Sequence, residues 1–159
     1  MAPPVPPPGR AGPPGAVLFV CAYNSVRSPM AAAMFRQYFG HRSYVGSAGV
    51  RRGDPDPFAT AVMEEIGLDL SGHKPMTFEE LEDLEGLNFD LIITLSPEAH
   101  HRALEVTRTL AIDVEYWPTH DPGAVEEGSR AQRLDAYREI RDQLLARIEQ
   151  RFGSGGFGS

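Results

Sequence analysis

The chain has 159 residues, of which 42% are hydrophobic, and this suffices for the core of one compact domain. Its formal net charge of −7 argues against nucleic-acid binding, which normally relies on clustered Lys and Arg. The sequence shows no apolar run typical of a secretion signal or a membrane span. Its one cysteine rules out an internal disulfide. We therefore expect a cytoplasmic protein without a membrane or nucleic-acid partner.

Both ends of the chain have compositions that bury little apolar surface. Residues 1–15 are almost entirely Pro, Gly and Ala, and residues 153–159 are rich in Gly. The sequence therefore predicts a disordered tail over 1–15, one domain over 16–152 and a flexible tail over 153–159.

The first half of the domain predicts two strands and two helices. A continuous apolar run over 17–21 is typical of a strand buried on both faces of a parallel sheet. A helix over 28–39 follows, and Ser28 is expected to cap it. A weaker strand over 44–47 and a helix over 58–66 complete this half.

The second half begins with a short helix, for which Thr77 and Glu80 form a capping box. An apolar run over 89–95 predicts the third strand, and Ser96 opens the helix that comes after it. Alternating residues over 113–117 predict a fourth strand.

Apolar residues recur at three- and four-residue steps over 131–152, which predicts a long amphipathic helix. Its arginines alternate with acidic residues, a pattern typical of a solvated face with ion pairs three or four residues apart. These arginines are Arg133, Arg138, Arg141, Arg147 and Arg151. Because strands alternate with helices, we predict a single-domain α/β fold. Its three layers are a four-stranded parallel sheet with helices on both faces.

Cys21 ends the first predicted strand, and Arg27 follows six residues later at the start of a helix. In such folds ligands bind beyond the carboxyl ends of the strands. Converging backbone N–H groups and the N-terminal end of a helix favour an oxyanion or a thiolate there. A guanidinium adds a bidentate donor for phosphate oxygens. The spacing therefore favours a phosphate-binding loop with a thiolate nucleophile over an ordinary buried cysteine.

At these residues the chain resembles the low-molecular-weight protein tyrosine phosphatases and the thioredoxin-coupled arsenate reductases that share their fold. The likeness spans residues 16–152 and is strongest over 17–29. It implies a sheet order of 2-1-3-4.

The resemblance also assigns roles within the loop. Cys21 is the expected nucleophile, Arg27 binds the phosphoryl oxygens, Asn24 shapes the loop and Ser28 hydrogen-bonds the cysteine sulfur. Asn also tolerates the positive φ that a tight loop demands. The expected phosphate-binding residues are Ala22, Tyr23, Asn24, Ser25, Val26 and Arg27.

Expulsion of an alkoxide or a phenolate needs a proton donor. Asp121 follows the last strand, as the catalytic Asp-Pro loop of the family does, and is our candidate for this acid. Asp54 and Asp56 also precede prolines and stay open as alternatives, although their loop, 51–58, is expected to form a rim of the pocket. An ordinary turn is the other interpretation of Asp121.

The resemblance further implies that Ser47 and His73 brace the phosphate loop. The remaining histidines lack the spacing of metal ligands, so we predict neither a metal nor a cofactor. Two departures from the family concern the pocket. Tyr23 replaces a glycine, and Gly123 and Ala124 replace aromatic residues after the Asp-Pro. Tyr23, Trp117 or Phe58 is left to wall the pocket.

The predicted function is hydrolysis of a phosphate monoester, on a phosphorylated protein or a small molecule, through a phosphocysteine. One alternative is arsenate reduction. The second cysteine of the reductases is absent here, where Leu95 and Ser96 stand instead, so this reaction needs an external thiol of the glutaredoxin or thioredoxin type. The other alternative is a non-catalytic phosphate-binding module.

Overall fold

The computed structural model describes residues 13–153. Its centre is a parallel sheet of four strands in the order β2-β1-β3-β4, which confirms the predicted fold class and strand order. The strands are β1 (Ala16–Cys21), β2 (Tyr44–Gly49), β3 (Leu91–Thr94) and β4 (Asp113–Tyr116).

Five helices cover the two faces of this sheet. They are α1 (Arg27–Phe39), α2 (Pro57–Glu64), α3 (Phe78–Glu85), α4 (Pro97–Val106) and α5 (Arg130–Phe152). Side chains of β1 alternate between two apolar clusters, as period-two geometry requires. Val17, Phe19 and Cys21 pack with α1, α2 and α5, whereas Leu18 and Val20 pack with α3 and α4. The Cys21 side chain therefore lies on the α1 and α5 side of the sheet.

The register of the strands brings their carboxyl ends to one edge. Cys21 of β1 pairs with Gly49 of β2, and Thr94 of β3 pairs with Tyr116 of β4. Loops that leave these strands therefore meet beyond the same edge, where ligands of parallel α/β folds bind.

Side-chain caps explain where most helices begin. Thr77 and Glu80 form the predicted capping box of α3, and Ser96 accepts from Ala99 N at the start of α4. The prediction that Ser28 caps α1 is wrong. This helix begins one residue earlier, at Arg27, without a side-chain cap, and the Ser28 hydroxyl turns towards Cys21 instead.

The arginines of α5 do not form the predicted solvated face of ion pairs along the helix. Arg141 is buried and donates to the Val62 carbonyl and to Glu65, at the end of α2. Arg138 also binds Glu65, and pairs within α5 with Asp135. Both arginines therefore fasten α5 to α2, a cross-helix contact that periodicity along one helix cannot reveal.

The predicted tails lie almost entirely outside the described residues. Within the described part, the carbonyls of Pro14 and Gly15 accept hydrogen bonds from Ser43 Oγ and Tyr44 N. The chain is thus held two residues ahead of β1, inside the stretch predicted to be disordered. Over residues 13–153, no helix combines the length and apolar character needed to cross a bilayer.

Candidate active site

A cleft of about 370 Å³ opens beyond the carboxyl end of β1. Cys21 lies at its base with 2% of its surface exposed. The cleft is lined by residues of three loops: Cys21, Tyr23, Ser25, Val26 and Arg27; Gly53, Asp54 and Asp56; and Asp121, Gly123, Ala124 and Glu126. The structure therefore brings the predicted nucleophile, the arginine and the candidate acid to one cavity.

The backbone of the loop after Cys21 has its carbonyls turned outward. The carbonyls of residues 21–24 all accept hydrogen bonds from groups outside the loop. These donors are Val50 N (3.1 Å), Arg51 N (2.8 Å), Gly53 N (2.9 Å) and His73 Nε2 (2.7 Å). In a trans peptide unit the N–H points away from the C=O. The N–H groups of residues 22–25 therefore face the interior of the loop, where they suit an anion.

Asn24 holds the loop in shape from within. It is fully buried, and its φ of 57° is the only positive φ of a non-glycine residue over residues 13–153. Its amide nitrogen donates to Ser28 Oγ (2.8 Å) and Ser47 Oγ (3.0 Å), and its side-chain oxygen accepts from Met76 N (3.0 Å). The backbone turn that Asn24 permits is thus fixed by three hydrogen bonds of its own side chain.

Ser47 and His73, which the resemblance implicated, both contact Asn24. Ser47 accepts from its side chain, and His73 reaches its backbone carbonyl. Because a carbonyl only accepts, the Nε2 of His73 carries the proton in this contact. Both residues therefore contact the loop without lining the cleft.

Ser28 is the nearest polar neighbour of the cysteine sulfur. Its Oγ lies 2.9 Å from Cys21 Sγ, and its backbone N–H donates to the same sulfur over 3.4 Å. Asn24 donates to Ser28 Oγ, which leaves the serine hydroxyl free to point its proton at the sulfur. These donors stabilise a thiolate more than a neutral thiol.

Arg27 reaches across the cleft to the loop after β4. It is 6% exposed, and its Nη1 donates to the Thr119 carbonyl over 2.9 Å. Its Nη2 lies 3.7 Å from Asp121 Oδ2. The guanidinium is thus oriented from behind by a backbone contact, while its other nitrogen faces the acid.

The three candidate acids differ in how their oxygens are engaged. Asp56 uses both: Oδ1 accepts from Phe58 N and Ala59 N, and Oδ2 accepts from the Tyr137 hydroxyl over 2.6 Å. Asp121 Oδ1 accepts from Gly123 N over 2.9 Å, whereas its Oδ2 accepts no hydrogen bond among residues 13–153. Asp54 is exposed at the rim. Asp121 is therefore the carboxyl best placed to carry and release a proton.

The sequence did not point to Tyr137, whose hydroxyl lies beside the acid loop. Its side chain is 1% exposed, and burial together with the hydrogen bond to Asp56 raises the pKa of the phenol well above its ordinary value. A Cβ added to Gly123 would stand 3.2 Å from both the Tyr137 hydroxyl and Asp121 Oδ1. Helical periodicity marked Tyr137 only as a core residue, so no sequence signal distinguished it.

Of the three aromatic residues predicted to wall the pocket, only Tyr23 does so. It is 46% exposed and lines the cleft. Trp117 is buried in the core against Phe19, so that prediction was wrong. Phe58 packs on Tyr137 beneath the Arg133 guanidinium. The wall role of Phe58 is likewise wrong, because its ring belongs to the core.

Residues 13–153 contain no group of three His, Cys, Asp or Glu side chains arranged to hold a metal ion. His100 stacks on Tyr116 and shares a hydrogen bond with Thr94 Oγ1. Its ring is therefore used in packing at the far side of the sheet.

The fold and this site define a class of enzyme. Residues 16–153 match the family described as low molecular weight phosphotyrosine protein phosphatase, and the chain belongs to that family. Among curated relatives, the glutaredoxin arsenate reductase of Synechocystis sp. is 31% identical over 134 residues, 84% of this chain and 92% of that protein. An arsenate reductase of Bacillus subtilis is 29% identical over 135 residues, again 84% and 92% of the two chains.

Solved structures show the same two activities. A low molecular weight protein tyrosine phosphatase from T. tengcongensis superposes with a TM-score of 0.69 at 25% identity, covering 86% of this chain and 96% of that one. An arsenate reductase in its oxidized state gives a TM-score of 0.68 at 27% identity, covering 87% and 97%. The protein is thus an enzyme of a superfamily that contains phosphatases and arsenate reductases.

Proposed function

We propose that this enzyme hydrolyses phosphate monoesters, on phosphotyrosine or a related aryl phosphate, through a phosphocysteine intermediate. The observation that carries the proposal is the common cleft. The cysteine sulfur lies at its base, and the Asp121 carboxyl, with one oxygen free of hydrogen bonds in the described chain, lines the same cavity. A nucleophile and a proton donor facing one oxyanion-binding loop are the groups that this hydrolysis needs.

In the first step the Cys21 thiolate attacks phosphorus, and an S–P bond forms as the bond to the ester oxygen breaks. Arg27 and the inward N–H groups of the loop hold the equatorial oxygens, where charge develops. Asp121 transfers its proton to the leaving oxygen. Arg27 must exchange its contact with Asp121 for the phosphoryl group as the substrate binds.

In the second step water attacks phosphorus and the S–P bond breaks. Asp121, now ionised, takes the proton of the attacking water, and phosphate leaves. The Ser28 hydroxyl, 2.9 Å from the sulfur, stabilises the returning thiolate. Each turnover therefore ends with the thiolate and the protonated acid restored.

A second candidate is arsenate reduction, which the arsenate reductases among the relatives favour. Arsenate has the charge and shape of phosphate, so the same loop suits it. Cys21 would form an S–As(V) bond with loss of water. Because Cys21 is the only cysteine, an external thiol would then attack its sulfur, release arsenite and leave a mixed disulfide, which a second external thiol would reduce.

For partners we propose a phosphorylated protein or a small-molecule phosphate and, for the second candidate, a soluble thiol reductant. We place the enzyme in the cytoplasm, because a catalytic thiol without a partner cysteine persists in a reducing compartment.

Both candidates are tested on one preparation of the full chain. We expect turnover of an aryl phosphate in the presence of a chelator, its loss in Cys21→Ser, and a fall of about 10²-fold or more in Asp121→Asn, the usual worth of a general acid. Activity that survives Cys21→Ser would exclude the mechanism. Arsenate-dependent NADPH consumption with glutaredoxin or thioredoxin would support the reductase. Phosphate binding without either turnover would indicate a binding module.

A further inference from the structure

We infer that Tyr137 is a positioning residue for the general acid, and that it acts through Asp56 and the turn that carries Asp121. The inference rests on the proposed phosphatase function. Tyr137 lies on α5, far along the chain from the nucleophile, and its hydroxyl is the point at which α5 meets the rim of the cleft.

The contact joins two loops that approach the cleft from different sides. The Tyr137 hydroxyl donates to Asp56 Oδ2 over 2.6 Å, and Asp56 Oδ1 caps α2. The rim loop before α2 is therefore fastened to α5. Because Tyr137 is buried, this hydrogen bond is shielded from water and its geometry is well defined.

The acid turn, Pro122–Ala124, packs directly on this contact. A Cβ on Gly123 would stand 3.2 Å from the Tyr137 hydroxyl and 3.5 Å from Asp56 Oδ2. The turn therefore rests on the hydrogen-bonded pair, and Asp121 is held to the turn by the bond from Gly123 N. Glycine at position 123 permits this close approach, where the aromatic residue expected from the family would not fit.

This arrangement explains how the chain positions its acid without aromatic residues after the Asp-Pro. The hydroxyl of Tyr137 fixes the floor under the turn and so fixes the direction in which Asp121 faces the leaving oxygen. Proton transfer is sensitive to such placement, since a shift of about 1 Å in an active site can cost about 10²-fold in rate.

The test is Tyr137→Phe, which removes only the hydroxyl and keeps the buried ring against Phe58. We expect kcat/KM for phenyl phosphate, whose leaving phenol is weakly acidic, to fall about tenfold or more, within the range that general acids supply. For dinitrophenyl phosphate, whose leaving group needs little protonation, the loss should stay below about twofold by the same reasoning. Inhibition by inorganic phosphate should be unchanged, because the oxyanion loop is untouched.

Tyr44→Phe is the matched control, since it removes an exposed hydrogen bond from a tyrosine to Glu85, away from the cleft. The decisive measurement repeats Tyr137→Phe in the Asp121→Asn background. If Tyr137 acts through Asp121, the second substitution adds no further loss.

Equal losses for both leaving groups, or a full additional loss in the Asp121→Asn background, would overturn the role of Tyr137 and leave the phosphatase proposal standing. A wild-type enzyme without Cys21-dependent turnover would instead overturn the proposed function, and this assignment with it.

Discussion

Replacement of Asn24 by alanine tests the view that one side chain holds the oxyanion loop. The substitution removes hydrogen bonds to Ser28, Ser47 and Met76, each worth about 1 kcal/mol net. It also leaves a residue with a Cβ at a φ of 57°, at a cost of about 1 kcal/mol. We therefore expect Asn24→Ala to lower the free energy of unfolding by about 4 kcal/mol, a large share of the 5–15 kcal/mol typical of a domain.

Asn24→Gly separates the two contributions, because glycine loses the same hydrogen bonds but adopts positive φ without strain. We expect it to be less destabilising than alanine by roughly 1 kcal/mol. Urea unfolding followed by circular dichroism measures both values, and kcat/KM for an aryl phosphate should fall in both variants. Asn88→Ala, at an exposed asparagine outside the cleft, is the control and should change stability by less than about 0.5 kcal/mol.

Two outcomes would refute this reasoning. A loss below about 1 kcal/mol in Asn24→Ala would mean that its buried hydrogen bonds contribute no more than a single ordinary one. Alanine and glycine variants of equal stability would mean that the backbone at residue 24 relaxes out of the left-handed region.

Three further predictions concern stability and substrate charge. Hydrogen bonds from Arg138 and Arg141 lower the pKa of Glu65 from 4.5 to about 2; a depressed carboxyl pKa stabilises above the unfolded value, so this contribution is lost as pH falls from 4.5 towards 2, and the urea midpoint of Glu65→Gln should decline less steeply over that window. Gly49→Ala would place a Cβ 2.6 Å from Arg51 O and 2.7 Å from Asn24 N, so we expect a loss of both stability and phosphate binding; an unchanged phosphate Ki would contradict this. Neutralising the rim carboxylates of Asp54 and Glu126 should raise kcat/KM for a dianionic aryl phosphate, most strongly at low salt; the opposite salt dependence would exclude this effect.

The fold was largely predictable because its determinants are local. Apolar runs of strand length, separated by helical segments with start signals such as Thr77 and Ser96, indicate a parallel sheet with little ambiguity. The same is true of the nucleophile, because a strand end, a cysteine and an arginine at the start of a helix follow one another within seven residues.

Contacts between distant segments were not predictable in this way. The Asp56–Tyr137 hydrogen bond joins residues 81 positions apart, and Arg141 binds Glu65 from 76 positions away. Both α5 residues looked like ordinary members of an amphipathic helix. Ser28 shows the converse error, since a typical capping residue at the start of a helix spends its hydroxyl on the cysteine sulfur instead.

The solitary cysteine at the base of the cleft also determines how the enzyme meets oxidants. A sulfenic acid formed on Cys21 has no second thiol in its own chain with which to condense, so it cannot be stored as an internal disulfide. Recovery then depends on a thiol from solution, and the sulfur is 2% exposed. The depth of the cleft therefore favours small thiols over bulky protein reductants, and in their absence oxidation would proceed to irreversible acids.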